Sequence, residues 1–432
     1  MSDAIRLPER PDLTQYKTLA KDLHRACADA DQGAIRRWAS EWLARSGRDD
    51  AGDIERIERT WRQLLAKKPQ LSKCALTDAQ FILARLHGFA SWPIFARHIE
   101  DLARAASGTT QFESAVDAIV SGDTATLDRL LREHPDLVRA RSTREHHATL
   151  LHYVSANGVE DFRQKTPQNI VEIARMLLDA GADVNAESNG YGPHDTTFAL
   201  TATSCHPEDA GVQIPLLGLL LARGAAIDWP PDSSTVLACL HNGRGPAADF
   251  CASHGARLDL EGAAGVGRLD VMREYVRPDG TLTGGATRQQ MLDGLAWAAQ
   301  FGKTDAARFL LDHGVPVNER LRHHGNSALH WAAYGGFPDT VQLLLERGAA
   351  VNDVDDSFDG TPLGWALYAW GNRTLTERER EDFYTVVARL VRAGATVDPA
   401  WFDGDADRDR AQRKLRADPR MLTALKGVVE GS

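Results

Sequence analysis

The sequence predicts an all-α protein in which pairs of short helices stack into an α-solenoid. A helical bundle precedes the stack, and a capping helix follows it. Two recurring phrases lead to this prediction, one at the end and one at the start of each helix pair. A third observation concerns residues 12 to about 105, which lack both phrases. Their apolar residues recur at the spacing of roughly three to four residues that is typical of amphipathic helices.

Composition limits the classes of function. The chain has 432 residues, of which 43% are hydrophobic and 25% are charged, as in ordinary soluble globular proteins. Its formal charge of −10 argues against nucleic acid, because binding phosphates requires clustered Lys and Arg. No apolar run approaches the ~18 residues that cross a membrane. We therefore expect neither nucleic acid nor a membrane as a partner.

The cysteines and the N-terminus bear on location. Five cysteines are far apart in the sequence and form no CxxC pair. Such spacing argues against a disulfide framework and favours a reducing compartment. The first residues, MSDAIRLPERPD, contain no apolar segment of the kind found in signal peptides. We expect a cytoplasmic protein.

The phrase that closes each helix pair is an apolar helical stretch followed by a glycine and a short apolar segment. LLDAGADVN, LLDHGVPVN and LLERGAAVN are clear copies. The leucines give the helix a buried stripe, and the glycine accepts the left-handed conformation that ends it. The six copies end at Asn185, Asp228, Asp259, Asn318, Asn352 and Asp398.

The phrase that opens each helix pair places a capping Thr or Ser before an Ala-rich helix. It is clearest in SALHWAAYGG from Ser327 and in TPLGWALYAW from Thr361. Together the two phrases resemble the ankyrin repeat, with its T-P-L-H-x-A signature and its period of about 33 residues. The resemblance implies stacked helix pairs joined by short β-turns. It also implies that His152 and His330, at the His of the signature, tie neighbouring turns together.

Eight repeats fit this pattern, some degenerate and some with insertions. The first begins near residue 111, and the others open near Thr149, Thr196, Thr235, Leu260, Leu292, Ser327 and Thr361. The predicted domains are therefore an N-terminal helical domain (1–107), the repeat array (111–402) and a C-terminal capping helix (403–432). A cap is expected because the last repeat of a solenoid otherwise exposes its apolar face.

The N-terminal domain is predicted to contain five helices. Its Gly-Phe-x-Ser-Trp break, starting at Gly88, is similar to segments that precede the repeats in many bacterial ankyrin proteins. Four tryptophans of this domain form either an interaction surface or, as we favour, the core of a small bundle. They are Trp38, Trp42, Trp61 and Trp92.

The resemblance implies a binding surface on the concave face, at the exposed end of each first helix. The side chains there are uncharged, with aromatic and amide groups that suit protein recognition. The predicted binding residues are Asn157, Thr203, His241, Asn242, Gln300, Tyr334 and Tyr368. The leading prediction is a non-enzymatic protein-binding or scaffold module.

Polar insertions in repeats two to four suggest an alternative. Their side chains lie in adjacent repeats and could converge on one patch, forming a small-molecule or enzymatic site. The candidates for this patch, besides Asn157 and Asn242, are His152, Tyr153, Arg163, Tyr191, His194, His206, Glu208, Asp209 and Arg244.

Evidence for catalysis in the sequence is slight. His206 with Glu208 or Asp209 has the residue types of a general acid–base pair. However, His206 falls where ankyrin repeats commonly carry a loop histidine that bonds to the backbone. GxGxxG, GxxxxGK[ST], GxSxG and HExxH motifs are absent from the sequence in the contexts that would give them meaning. We predict no catalytic residue, no cofactor and no metal.

Overall fold

The computed structural model describes residues 4–28, 33–45, 51–67, 75–104, 106–320, 326–402 and 410–428. Helices dominate these residues, and the predicted all-α fold class is confirmed. Contacts divide the chain into two compact halves, the N-terminal half (Met1–Thr235) and the C-terminal half (Val236–Ser432). In the described residues, no helix has both the length and the apolar character needed to span a membrane.

The N-terminal half begins with five helices, as the apolar spacing predicts. They are α1 (Leu13–Ala28), α2 (Ala34–Arg45), α3 (Ala51–Lys67), α4 (Leu76–Leu86) and α5 (Trp92–Leu102). Gly88, with a φ of 82°, reverses the chain between α4 and α5. Trp38 is buried in the core of this bundle, and the other three tryptophans pack against that core while half-buried. Their packing fits the core interpretation.

The same half continues with the helices of the first three predicted repeats. Their α-helices are α6 (Gly108–Ser121), α7 (Thr124–Glu133), α8 (Ile170–Asp179), α9 (Thr197–Thr203), α10 (Cys205–Asp209) and α11 (Gln213–Ala222). The first helix of the second repeat is a 3₁₀ helix, Leu150–Ser155, and two further 3₁₀ turns span Pro135–Arg139 and Asp161–Arg163. The insertion after Asn185 forms a short antiparallel hairpin of β1 (Glu187–Ser188) and β2 (Asp195–Thr196).

The C-terminal half holds the remaining repeats as successive helix pairs. They are α12 (Thr235–His241) with α13 (Gly245–Ser253), α14 (Leu260–Gly265) with α15 (Leu269–Tyr275), α16 (Arg288–Gln300) with α17 (Thr304–Asp312), α18 (Ala328–Gly335) with α19 (Pro338–Glu346), and α20 (Pro362–Asn372) with α21 (Glu377–Arg392). The expected opening of the sixth repeat near Leu292 is wrong. Thr287 caps α16 through a reciprocal hydrogen-bond pair with Gln290, so this helix begins earlier.

Where the closing phrase ends in asparagine, that side chain joins its repeat to the next. Asn318 Nδ2 donates to the Gly348 carbonyl at 3.0 Å, and its Oδ1 accepts from the Ala350 N–H at 2.8 Å. Asn352 makes the same pair of contacts one repeat further on. Gly348 has a φ of 82°, which only glycine adopts at low cost. The closing phrase therefore ends the helix and also connects one repeat to the next.

The described part of the C-terminal segment contains two short helices where the sequence predicts one. A 3₁₀ turn, Pro399–Trp401, precedes α22 (Arg410–Ala417) and α23 (Pro419–Ala424), and residues 403–409 and 429–432 lie outside the described residues. Leu415 and Met421 are fully buried in the core of the preceding repeats. The Tyr384 hydroxyl donates to Asp418 at 2.8 Å, which ties the helix pair to α21.

Cysteine chemistry differs in part from the expectation. Cys205, Cys239 and Cys251 carry free thiols. Cys27 is disulfide-bonded. The absence of a CxxC pair is therefore a poor guide to the oxidation state of this residue.

Candidate functional site

The two histidines of the opening phrase have the same geometry. His152 Nδ1 accepts from the Thr149 N–H at 3.1 Å, and its Nε2 donates to the Asp195 carbonyl at 3.3 Å. His330 accepts from the N-cap serine of its own repeat and donates to the Gly360 carbonyl, each at 3.1 Å. Burial lowers the pKa of His152 to about 4, so the ring is neutral near pH 7. These rings connect successive turns, and His152 is occupied by that role.

Four charged side chains form a buried ion network in the N-terminal half. Arg144 bonds Glu113 at 2.6 Å and Glu160 at 2.7 Å. Arg163 bonds Glu113 at 2.6 Å and extends to Asp117 at 2.8 Å. Although burial opposes it, the two guanidinium groups lower the pKa of Glu113 to about 2. Two arginines and two glutamates thus balance in charge inside the protein.

Polar rings surround the ion network. Tyr153 is fully buried, and burial raises the pKa of its phenol well above the usual value. His146 Nε2 is 3.6 Å from Glu160 Oε2, and the His146 ring meets the Tyr153 ring edge-on. Of the predicted polar patch, Tyr153 and Arg163 therefore lie in the interior, where they contact other protein groups and not the surface.

Three predicted residues meet at the surface of the N-terminal half. The Tyr191 hydroxyl donates to Asn157 Oδ1 at 2.6 Å. Asn157 Nδ2 donates to Thr203 Oγ1 at 3.3 Å and to the Leu200 carbonyl at 3.1 Å. Tyr191 is 66% exposed. The structure thus brings together one member of the predicted patch and two of the predicted concave-face residues.

The remaining patch residues of this half are more dispersed. His194 Nδ1 lies 3.0 Å from Glu187 Oε2, at the base of the β1–β2 hairpin. His206, Glu208 and Asp209 lie on α10, where the first two are half-buried and Asp209 is exposed.

In the fourth repeat, the predicted polar residues bond to their own backbone. His241 Nδ1 donates to the Leu237 carbonyl at 2.7 Å, and Asn242 Nδ2 donates to the Ala238 carbonyl at 2.9 Å. Arg244 Nε donates to the Asn242 carbonyl at 2.7 Å. His241 and Asn242 are exposed, whereas Arg244 is half-buried.

Five aromatic side chains of the seventh and eighth repeats form what we call the aromatic face: Trp331, Tyr334, Phe358, Trp365 and Tyr368. The Trp365 ring lies edge-on to Trp331, Tyr334 and Phe358, with centroids 5.2, 5.8 and 6.2 Å away. Phe358 is 69% exposed and Tyr368 is 55% exposed, although both are large apolar groups. Gln300, at the position equivalent to Tyr334 one repeat earlier, is half-buried.

Sequence reasoning found the two tyrosines of this face but missed its tryptophans. The signal was present, because the same spacing separates Trp297 from Trp331 and Trp331 from Trp365. An aromatic residue recurring at one position of successive repeats marks a continuous stripe along packed helices.

Among the described residues, two cavities are lined by residues other than those predicted. One, of about 440 Å³, lies among residues of α6, α7 and the 3₁₀ turn that follows them. The other, of about 690 Å³, lies along α17 and α19. The small-molecule alternative therefore stays a prediction from the sequence.

Comparison with known families identifies the repeat. Residues 260–373 match the family model described as ankyrin repeats (3 copies). The chain contains ankyrin repeats. A search among curated proteins found no match. The matched segment spans the fifth to seventh ankyrin repeats and the first helix of the eighth.

Ankyrin repeats are in general protein-interaction modules. All five residues of the aromatic face lie inside the matched ankyrin segment. The face is thus carried by regular repeats and not by an insertion. Its exposed rings are additional to what helix stacking requires, because the core beneath them is already filled by residues such as Leu329, Leu363 and Leu367.

Proposed function

We propose that this protein is a non-enzymatic binding module whose ankyrin repeats hold another protein against the aromatic face. One observation carries the proposal: large apolar rings remain exposed on consecutive repeats. Exposed apolar patches of this kind mark interaction sites, and Tyr and Trp supply much of the binding energy at protein interfaces.

Two rings of the aromatic face, Trp365 and Tyr334, are held in place by contacts within the protein. Trp365 Nε1 donates to Asp355 Oδ2 at 3.0 Å, and that carboxylate also accepts from the Gly360 N–H at 2.9 Å. The Arg373 guanidinium lies 5.9 Å from the centre of the Tyr334 ring and bonds the Tyr334 carbonyl at 3.3 Å. Fixed rings lose little conformational entropy on binding, which favours affinity.

The proposal includes a cytoplasmic location and a protein as the partner, without nucleic acid or membrane. The free thiols of Cys205, Cys239 and Cys251 support a reducing compartment. The disulfide at Cys27 counts against it. The formal charge of −10 supports the exclusion of nucleic acid.

Affinity capture from the native cell tests the proposal. The wild type is compared with a Tyr334→Ala plus Tyr368→Ala variant, which removes two rings from the aromatic face. Phe402→Ala is the matched control, because Phe402 is an aromatic residue that is 39% exposed outside that face. We expect the double variant to lose its captured proteins and the control to retain them. Unchanged capture by a double variant with normal thermal stability would refute the proposal.

A further inference from the structure

The N-terminal helical domain contacts one short segment of the repeat array, residues 143–145. The Glu145 N–H donates to the Gly88 carbonyl at 2.9 Å, and the Glu145 carboxylate pairs with Arg85 at the end of α4. Gly88 begins the Gly-Phe-x-Ser-Trp break between α4 and α5. The break is therefore a contact surface for the array as well as a turn between two helices.

Two buried side chains of the helical domain contact the same segment. The Arg144 guanidinium lies 5.3 Å from the centre of the Phe89 ring, which is fully buried. His98 Nδ1 lies 2.8 Å from Thr143 Oγ1, and the His98 and Phe89 ring centroids are 4.8 Å apart. Cation–π contacts and hydrogen bonds gain strength when they are removed from water. We call these contacts the joint, which consists of residues 143–145 together with Arg85, Gly88, Phe89 and His98.

Arg144 connects the joint to the ion network. While its guanidinium lies over Phe89, it also bonds Glu113 of α6 at 2.6 Å and Glu160 of the second repeat at 2.7 Å. Arg144 is buried, so one cation in the interior contacts the helical domain, the first repeat and the second repeat. Because a buried charge is costly unless its partners are in place, the three parts stabilise one another.

The helical domain makes a second set of contacts with the 3₁₀ turn of the second repeat, Asp161–Arg163. Arg56 of α3 pairs with Asp161 at 2.8 Å. The Arg6 guanidinium, in the segment before α1, lies 5.9 Å from the centre of the Phe162 ring. The third residue of the turn belongs to the ion network. The polar insertion of the second repeat therefore begins at a contact with the helical domain.

The predicted boundary at residue 107 is a hydrogen-bonded corner. Ser107 Oγ caps α6 by accepting from the Thr110 N–H at 3.1 Å, and it donates to the Asp101 carbonyl of α5 at 2.7 Å. Independent domains are instead joined by exposed linkers that few contacts cross. The first repeat of a solenoid, like the last, exposes an apolar face unless another element covers it.

We propose that the N-terminal helical domain is the N-terminal cap of the repeat array, and that it opens together with the first two repeats as one cooperative unit. The partner that fits the surface around the Gly-Phe-x-Ser-Trp break is then the array of the same chain. Segments that open as one unit share a single free energy of opening, which native-state hydrogen exchange measures.

Hydrogen exchange of the full chain tests whether the helical domain depends on the array. Thr143→Val plus Glu145→Gln is the joint variant. It removes the hydroxyl that contacts His98 and the charge that pairs with Arg85, and it changes nothing in the helical domain itself. We expect exchange of the α4, α5 and α6 amides to rise together by about tenfold, because a buried polar group that loses its partner is costly.

Thr124→Val plus Glu133→Gln is the control variant. It makes the same two kinds of substitution on α7, where Glu133 pairs with Arg129 of the same helix. Because exposed ion pairs contribute little, exchange of the α4 and α5 amides should stay as in the wild type. Equal exchange of these amides in the joint variant and the control variant overturns the inference, because the joint would then have no part in protecting the helical domain.

Ile82→Val tests the reverse direction, from the helical domain to the array. Ile82 is buried in α4, and deleting a buried methylene group usually destabilises the unit that contains it. We expect exchange of the α6 amides to rise by the same factor as that of the α4 amides. A rise confined to the helical domain overturns the inference, because the helices before residue 107 would then form a separate domain.

Discussion

In the N-terminal half, an insertion places a charged residue in the interior. In the C-terminal half, regular repeat positions place aromatic residues at the surface. Arg163 belongs to an insertion of the second repeat and is buried against Glu113. Tyr368 occupies a regular helix position of the eighth repeat and is 55% exposed. The insertion residue Arg163 therefore contacts the interior of the protein, whereas the regularly placed Tyr368 is exposed at the surface.

The two halves share the contacts that connect successive repeats. His152 and His330 make equivalent contacts, one in each half. Asn185 Nδ2 donates to the Gly224 carbonyl at 3.0 Å, and Asn185 Oδ1 accepts from the Ala226 N–H at 2.8 Å. Asn318 makes the equivalent two contacts in the other half. The stacking chemistry is therefore common to both halves. The difference lies in the second repeat, which has a 3₁₀ first helix and supplies Glu160 and Arg163 to the ion network.

Removing one guanidinium from the ion network should give the largest loss of stability. Arg144→Ala leaves Glu113 and Glu160 buried with the Arg163 guanidinium as their one remaining arginine partner, so one of the two negative charges is no longer balanced. Because a buried charge without its partner is costly, we expect the free energy of unfolding to fall by about 3–5 kcal/mol. Urea denaturation measures this change, and hydrogen exchange of the α6 amides assigns it to the N-terminal half.

Arg129→Ala is the matched control for Arg144→Ala. Its ion pair with Glu133, at 2.8 Å, lies at the surface, where both side chains are about half exposed. Exposed pairs contribute little, so the urea midpoint should stay where it is. Equal effects of the two substitutions would show that the ion network contributes no more to the free energy of unfolding than an exposed ion pair does.

Acid should destabilise the N-terminal half in part through His98, which is buried in α5. Burial lowers the pKa of His98 from 6.5 to about 4, against an opposing attraction from Glu113. As the pH falls below 6.5, His98 binds a proton in the unfolded chain but not in the folded protein. Stability is therefore complete above pH 6.5 and declines as the pH falls towards 4, by about 3 kcal/mol for a group shifted this far. Urea midpoints across that range measure the decline.

His98→Gln serves as the diagnostic variant for the acid response. It removes the titration, so the decline between pH 6.5 and 4 should become shallower. His152, whose pKa is also about 4, supplies the slope that remains. Below pH 4.5, the unfolded chain also takes up a proton at Glu113, whose folded-state pKa is about 2, and this removes further stability in both proteins. If the wild type and the variant decline in parallel, His98 does not carry the acid response.

The repeat, its helix ends and its histidine ties were readable because each depends on local sequence. A capping serine lies three residues before His330, and a glycine follows the second helix in most of the repeats. The meeting of Asn157 with Thr203 was also accessible, since equivalent positions of adjacent repeats are neighbours. Periodicity alone was sufficient for these features.

The ion network could not be read from the sequence. Glu113 lies in a regular helix, whereas Arg144 and Glu160 lie in irregular segments without periodicity. Nothing local distinguishes a glutamate that will be buried from one that will be solvated, because burial is decided by packing between distant segments. The aromatic stripe was a different case, since its constant spacing is visible in the sequence and was overlooked.

The close of the C-terminal half should respond to a single methyl group. A Cβ at Gly371 would lie 2.5 Å from the Ala411 Cα, so α22 must shift away from α20. The shift would loosen Leu415, which is fully buried. We expect Gly371→Ala to lower the free energy of unfolding by about 1–3 kcal/mol, as overpacking usually does.

Gly364→Ala, in the same helix, is the control. Its added Cβ would meet only the Thr361 hydroxyl, at 3.5 Å, so it should leave stability unchanged or slightly raised. Hydrogen exchange of the α22 amides should rise in the first variant alone. Equal exchange in both variants would mean that α22 and α23 pack less closely on the last repeat than the structure shows. The C-terminal half would then tolerate overpacking, whereas the N-terminal half does not tolerate an unpaired charge.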